Sequence, residues 1–461
     1  MLYSVRHALL NWRLQKKWQG KTLEHLAWLE ERQFSPQGEV DRHQQSRLVN
    51  LLNHAATNVP YYRRVLHDIG LFDQKGRVLL SRFQRIPLLG KPTLVKRFDE
   101  LKSSDLDSRS WYYNTSGGST GEPVRLIQDE AYLEWATSTK IFFDRWTGYK
   151  YGEPKVVLWG SERDLYGKDI ALKVRLGRLI RNETWFNSMT MATQDILSYR
   201  DHINRVRPVQ ILAYVDAIYE MARVIEEHGL KVHAPRAIMT SAGTLQPEMR
   251  STIERVFQAP VFNRYGSREV GDMACECEKG LGLHVNPFTH LVEVIGPNGQ
   301  PLPKGEVGEV VVTSLTNYSM PLIRYRIGDL AAWSTVDCEC GRPFPLLSHV
   351  HGRTNSIIRT PSRTIAGGIT SLFYYKDDSD TEVFQSFSRY QVVQRAIDQI
   401  EVLILVRNKA LWEEEREILK YKLPLVFGPD VDIQIHTVEA IPPAPSGKYS
   451  YVISEVEPAL D

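Results

Sequence analysis

Cysteine is scarce in this chain, four residues in 461, and in a protein expected to stay in the cytoplasm so few thiols argue against disulfides. An excess of charge of one sign is missing too. With 57 Lys and Arg against 55 Asp and Glu, the formal net charge is +2, which offers no bulk attraction to nucleic acid. No run approaches the ~20 continuous apolar residues of a membrane-spanning helix. The first residues also lack the apolar stretch and small-residue cleavage site of a signal peptide, so the cytoplasm is the expected location. Internal repeats and low-complexity tracts are absent. What is present is an ordinary globular composition, 42% apolar and 24% charged, which excludes disorder. The length implies roughly two or three domains.

Residues 1–17 place Leu2, Val5, Leu9 and Trp12 near one helical face with Arg6, Arg13, Lys16 and Lys17 around it. This pattern suits peripheral membrane contact, and equally an amphipathic helix packed on its own domain. Up to about residue 105 the pattern is mainly helical, notably over 47–56, with a stop near Pro60 because proline disfavours helix in the residue before it. From Val156 onward, short apolar runs (156–159, 211–214, 237–239, 309–313) alternate with helical stretches (217–228, 247–257). That is the rhythm of an α/β sheet, in which ligands sit at the carboxyl ends of strands. After Gly352 the rhythm resets to an apolar run at 400–406, a charged helix at 411–421 and a strand at 431–438, a small α+β domain of about a hundred residues. The expected division is 1–353 and 354–461.

Several short motifs carry chemistry. Thr115-Ser116-Gly117-Gly118-Ser119-Thr120-Gly121 packs four hydroxyls and three glycines into seven residues, a loop able to turn N–H groups and hydroxyls toward one anion. It lacks the Lys-Ser/Thr ending of a Walker loop, so the ordinary P-loop reading fails. In Tyr265-Gly266-Ser267-Arg268-Glu269 the carboxylate beside a small-residue turn can hold magnesium, and the aromatic can stack on a base. In Tyr325-Arg326-Ile327-Gly328-Asp329 the carboxylate suits paired ribose hydroxyls. Gly352-Arg353-Thr354-Asn355 and Pro445-Ser446-Gly447-Lys448 follow, the lysine a mobile point charge able to meet an anion. Each motif alone has a plain alternative: a surface turn, a solvated acid, a surface ion pair, a solvated tail.

Together, and with Ser241-Ala242-Gly243 between the first two, their order resembles the adenylate-forming superfamily of acyl-CoA synthetases, adenylation domains and luciferases. Within it the chain most resembles the phenylacetate-CoA ligase branch and its capsular-polysaccharide relatives. The resemblance runs from about Leu48, through Asn58-Val-Pro-Tyr-Tyr62, to residues 441–454. It implies an α/β fold, with a large multi-sheet adenylate-binding N-terminal domain and a small mobile α+β C-terminal domain. It also implies that Thr115 to Gly121 contact the ATP phosphates, that Ser241, Ala242 and Gly243 line the adenine, and that Tyr265, Gly266 and Ser267 lie near the base. By the same resemblance Glu269 binds magnesium, Asp329 holds the ribose hydroxyls, Arg353 supports them, and Lys448 bridges the carboxylate and the α-phosphate. Two positions depart from the pattern: the loop ends Glu122-Pro123 where many members have Lys-Pro, and the hinge position is Asn355 where Asp is common.

The implied activity uses ATP to convert a small carboxylic acid into an acyl-AMP, then passes the acyl group to coenzyme A or to an amine. A non-catalytic nucleotide-binding scaffold of a polysaccharide assembly would keep the fold but lose Lys448 or Glu269, and both are present. The acid pocket is expected around residues 211–216 and the Ser241 strand, where Asp216 suits either an amino group of the substrate or a helix N-cap. All four cysteines fall in two Cys-x-Cys pairs, Cys275/Cys277 and Cys338/Cys340, with His284 close after the first. This set suits a structural zinc ion, with either Cys275 or His284 as the fourth ligand, the plain alternative being reduced buried thiols. Such an ion is expected to brace the loops that carry Glu269 and Asp329. A zinc module for nucleic acid is opposed by the absence of a basic stripe.

Overall fold

The computed structural model describes residues 20–115, 124–159, 172–188, 191–353, 358–362, 364–365, 374–375, 382–384, 386–441 and 450–456. These fall into two compact units. The larger holds the described residues up to Ile327 together with Ala332–His349, and the second holds Gly328–Ala331 and the described residues of Val350–Ala444 and Lys448–Asp461.

The larger unit opens with helices Thr22–Arg32, Gln37–Asn58 and Pro60–Asp68. The second of these stops where the sequence predicts. Val59 is extended (φ −110°, ψ 110°) ahead of the proline, and Pro60 then starts the next helix in the first turn, where its missing N–H is no loss. Tyr62, from the same motif, is fully buried; its hydroxyl donates to Pro321 O at 3.2 Å and accepts from Ile323 N–H at 3.1 Å.

A two-stranded hairpin, β1 (Trp111–Thr115) and β2 (Arg125–Asp129), precedes the main sheet. The main sheet uses β3 (Lys155–Trp159), β4 (Glu183–Asn187), β5 (Gln210–Tyr214), β6 (Ala237–Ser241), β7 (Val261–Ser267), β8 (Gly271–Glu276), β9 (Leu283–Val285), β10 (His290–Ile295), β11 (Gly308–Ser314), β12 (Tyr325–Trp333) and β13 (Leu346–Arg353). Among the described residues its order is β10-β11-β12-β13-β9-β8-β7-β6-β5-β3-β4. From β4 to β7 every pairing is parallel, and from β7 through β8 to β9 every pairing is antiparallel. The parallel half follows from sequence: β5 and β6 are buried at every residue, as strands covered on both faces must be, and helices Val215–Glu227 and Pro247–Phe257 supply crossovers.

In the second unit a four-stranded sheet runs Asp432–Thr437, Gln399–Val406, Phe387–Ala396, Val452–Ser454. Helix Lys409–Phe427 buries Trp412, Leu419, Leu423 and Phe427 with Val392, Val402 and Ile404. Asn408 caps the helix, its side chain accepting from Ala410 N–H at 3.0 Å.

His290, at the start of β10, is completely enclosed. Its Nε2 donates to Val270 O at 2.9 Å and its Nδ1 accepts from Thr289 Oγ1 at 2.9 Å, the tautomer following from the carbonyl's having no proton to give. Burial pushes its pKa down from 6.5 to about 4, and burial does the same to His25 on the first helix. The unfolded chain therefore takes up protons below about pH 6.5 that the folded chain refuses until about pH 4, so stability is full above that window and falls as pH drops through it. The thermal midpoint should decrease on going from about pH 6.5 to about pH 4.5. A His290→Gln variant should show a shallower decrease, and an equal slope would contradict this account.

Candidate functional site

Strands β5, β6 and β7 are adjacent and parallel, so their carboxyl ends lie on one edge of the sheet. At or just beyond those ends lie Asp216, Ser241-Ala242-Gly243 and Tyr265 to Glu269. Ser241 is buried, and Ala242 takes a left-handed φ of 66° that turns the chain sharply. A side chain on Gly243 would come within 3.1 Å of Val215 Cβ and 3.6 Å of Asp216 Oδ2, so the turn rests on the first turn of helix Val215–Glu227. The cap of that helix is Tyr214, which places Asp216 inside the first turn rather than in the N-cap position that its residue type suggests.

On β7 the ladder slips between Tyr265 and Gly266. Gly266 leaves no room for a side chain, since a Cβ would stand 2.5 Å from Gly271 O and 2.7 Å from Asp272 Cα. The turn that follows is therefore tight. Tyr265 and Glu269 are both buried, and the Glu269 carboxylate makes no ion pair among the described residues. Ser267 Oγ is buried without a hydrogen-bond partner among the described residues. A buried carboxylate lacking a counter-charge, beside a buried hydroxyl lacking a partner, fits a cation with phosphate or nucleoside oxygens around it.

Thr115 ends β1, and its N–H donates to Asn114 Oδ1 at 2.8 Å. Ser116, Gly117, Gly118, Ser119, Thr120 and Gly121, with Glu122 and Pro123, lie outside the described residues, as do the N-terminal residues 1–17, Asn355 and Lys448. The stem of that loop is nevertheless fixed. Asn114 Nδ2 donates to Arg268 O at 3.2 Å, and Gln128 Nε2 donates to Arg268 O at 3.1 Å and Glu269 O at 3.3 Å. Sequence reasoning missed Asn114 and Gln128, because the groups they bind are about 150 residues away and no local motif marks them. Asp329 is buried on β12 directly after Gly328, whose φ of 82° is left-handed, and Arg353 closes β13.

The thiols converge as well. The ligand atoms of Cys277, His284, Cys338 and Cys340 all lie within 4.8 Å of one another. Cys277 Sγ is 3.5 Å from Cys338 Sγ, and Cys340 Sγ is 3.4 Å from His284 Nε2, close to the ~3.5–3.8 Å edges of a tetrahedron with zinc–ligand bonds of about 2.1–2.3 Å. His284 Nδ1 faces Phe344 O at 3.4 Å, which would aim Nε2 at an ion. Cys275 is not in the group. It pairs with His284 across β8 and β9 with its thiol fully buried in an apolar cluster, whereas Cys277 lies past the end of β8. The group also sits at the opposite end of β8 from the Glu269 turn. At about 3.4 Å per residue the six residues of β8 span roughly 20 Å, so a bound ion would clamp the ladder rather than the loop of Glu269.

Residues 380–455 match the family model of the CapK C-terminal domain. Over 432 residues the chain is 24% identical to Protein CapK of Staphylococcus aureus, covering 90% of this chain and 89% of that one. Over 410 residues it is 24% identical to the phenylacetate-coenzyme A ligase of Thermus thermophilus, covering 82% and 83%. A crystal structure of 2-hydroxyisobutyryl-CoA ligase in the postadenylation state, in complex with R3-HIB-AMP, aligns with TM-score 0.70 at 18% identity, covering 92% of this chain and 91% of that one. The chain has the adenylate-forming ligase fold. CapK and the phenylacetate-coenzyme A ligases are its homologues. The CapK-type match covers the four-stranded sheet of the second unit.

The thiol group generates its own test. Purified protein should carry about one equivalent of zinc. Cys338→Ser and His284→Ala should lose it, while Cys275→Ser should keep it, as metal analysis would report; equal loss from Cys275→Ser would refute the assignment of ligands.

Proposed function

We propose that this adenylate-forming ligase activates a small carboxylic acid with ATP and transfers the acyl group to coenzyme A. The observation that carries the reading is the convergence, at the carboxyl ends of β5, β6 and β7, of a buried carboxylate without an ion pair and a buried hydroxyl without a hydrogen-bond partner among the described residues, together with the stem of a Ser/Gly loop. The homology to phenylacetate-coenzyme A ligases supports it.

In the first step a carboxylate oxygen attacks the α-phosphorus, the bond to the bridging oxygen of the pyrophosphate breaks, and pyrophosphate leaves. Ser116 to Gly121 would grip that leaving group, Ser241 to Gly243 and Tyr265 would seat the adenine, and Asp329 with Arg353 would hold the ribose. Glu269 would hold a magnesium ion, which when bound offsets the repulsion between the two reacting anions. Lys448 would bridge the carboxylate and the α-phosphate and stabilise the crowded transition state. In the second step the thiol sulfur attacks the acyl carbon, the bond to AMP breaks, AMP leaves, and the thiol proton passes to solvent. Cys277, His284, Cys338 and Cys340 would carry structural zinc.

The sequence resemblance to capsular-polysaccharide relatives extends the proposal to an amine on a sugar or amino acid as acceptor and to polysaccharide biosynthesis. Among the described residues no helix is long and apolar enough to cross a membrane. ATP supply and the thiolate chemistry of the proposed zinc group both suit the cytoplasm.

Carboxylate-dependent pyrophosphate exchange against a panel of aryl, fatty and amino acids, followed by trapping with coenzyme A or amines, tests the reading. Lys448→Ala should lower exchange by at least about 10²-fold while ATP binding survives; equal exchange in the two proteins would overturn the role of Lys448. Absence of exchange with every acid in the panel would favour the scaffold reading.

A further inference from the structure

We propose that Gln128 is a positioning residue for metal binding: its carboxamide holds the backbone of Glu269 in register with the stem of the Ser/Gly loop. The proposal rests on the reading above, in which Glu269 takes the metal ion that accompanies ATP. Gln128 is 1% exposed and stands opposite Tyr112 in the β1–β2 ladder, with Asn114 two residues along on the same face. Every hydrogen-bonding position of its carboxamide is used. Oε1 accepts from Tyr112 OH at 3.1 Å and from Asn114 Nδ2 at 2.9 Å, while Nε2 donates to Arg268 O at 3.1 Å and to Glu269 O at 3.3 Å. The orientation of the amide is thereby decided, because the reverse would set an oxygen against two carbonyls.

The same network reaches the loop. Asn114 donates to Arg268 O and accepts from the N–H of Thr115, the last residue before Ser116. One chain of hydrogen bonds therefore runs from the first residue of the phosphate-loop motif to the peptide of the metal-binding candidate. It touches neither the Glu269 carboxylate nor any reacting atom. Removing the two donors on Gln128 leaves Glu269 O without its side-chain partner and Arg268 O with Asn114 alone, and lets the turn shift, which moves the carboxylate away from the place where the nucleotide is held.

The test is Mn²⁺ binding to the full-length chain in the presence of α,β-methylene-ATP, read by electron paramagnetic resonance with protein in excess over nucleotide. Gln128→Leu should weaken Mn²⁺ binding about 10-fold, the usual scale for a partner one shell out from a metal ligand. Gln128→Glu should do likewise, because it keeps the acceptor half and loses the donors. Asn114→Asp, which retains the acceptor for Thr115, should give a smaller loss in the same direction and serves if Gln128→Leu does not fold. Thermal midpoint and zinc content are followed in each variant. An unchanged Mn²⁺ affinity in folded Gln128→Glu or Asn114→Asp would overturn the proposal. Glu269→Gln is run alongside to separate the two levels. If it weakens Mn²⁺ binding and the Gln128 variants do not, only the positioning role fails; if it leaves Mn²⁺ binding unchanged, the Glu269 reading fails and this proposal with it.

Discussion

The site depends on β7 having a parallel neighbour on one side and an antiparallel neighbour on the other. A strand that continues a parallel sheet requires a long crossover, whereas one that starts an antiparallel ladder returns through a tight turn. At the carboxyl end of β7 the chain must therefore reverse at once, and it does so within Ser267 to Gly271. That reversal leaves Glu269 at the same edge of the sheet as the carboxyl ends of β5 and β6, where an α/β sheet already gathers its ligand loops. Gly266 is the steric condition for it, because the backbone of Gly271 and Asp272 fills the space a side chain would need.

Much of this was readable from the sequence because the determinants are local. The helix expected at 247–257 is found as Pro247–Phe257, and the apolar runs at 156–159 and 211–214 became fully paired strands one residue longer at their starts. Doubly covered parallel strands must be continuously apolar, and a proline sets a helix start by its own geometry. What stayed hidden is what two distant segments settle between them. The four-atom thiol group required knowing that Cys277 leaves its strand while Cys275 remains inside it. Asp216 looks like an N-cap by residue type, yet the cap falls two residues earlier, at Tyr214. Gln128 in a strand is unremarkable until its carbonyl partners, 140 and 141 residues away, are seen.

The two polar clusters of the larger unit divide the antiparallel ladder between them. β8 begins beside the Glu269 turn at Gly271 and ends at Glu276, next to Cys277. β9 contributes His284, and the segment between β12 and β13 contributes Cys338 and Cys340. An ion at the thiol end would tie three chain segments that sheet hydrogen bonds join only in part, since β9 has just three residues. Its effect on the nucleotide site would pass through the stiffness of β8 and the register of Arg264 with Cys275, a structural contribution distinct from the chemistry at the other end.

The choice of neutral amides around Glu269 has a physical reason. An arginine or lysine in the place of Gln128 could also hold the carbonyls of Arg268 and Glu269, and would bind them more strongly. It would bring a positive charge to within a few ångströms of the Glu269 carboxylate, and that charge would compete with any metal cation for the same oxygens. Asn114 and Gln128 fix the peptide without neutralising the side chain. The carboxylate is left buried with no ion pair among the described residues, a state suited to a site completed by a cation arriving with its nucleotide.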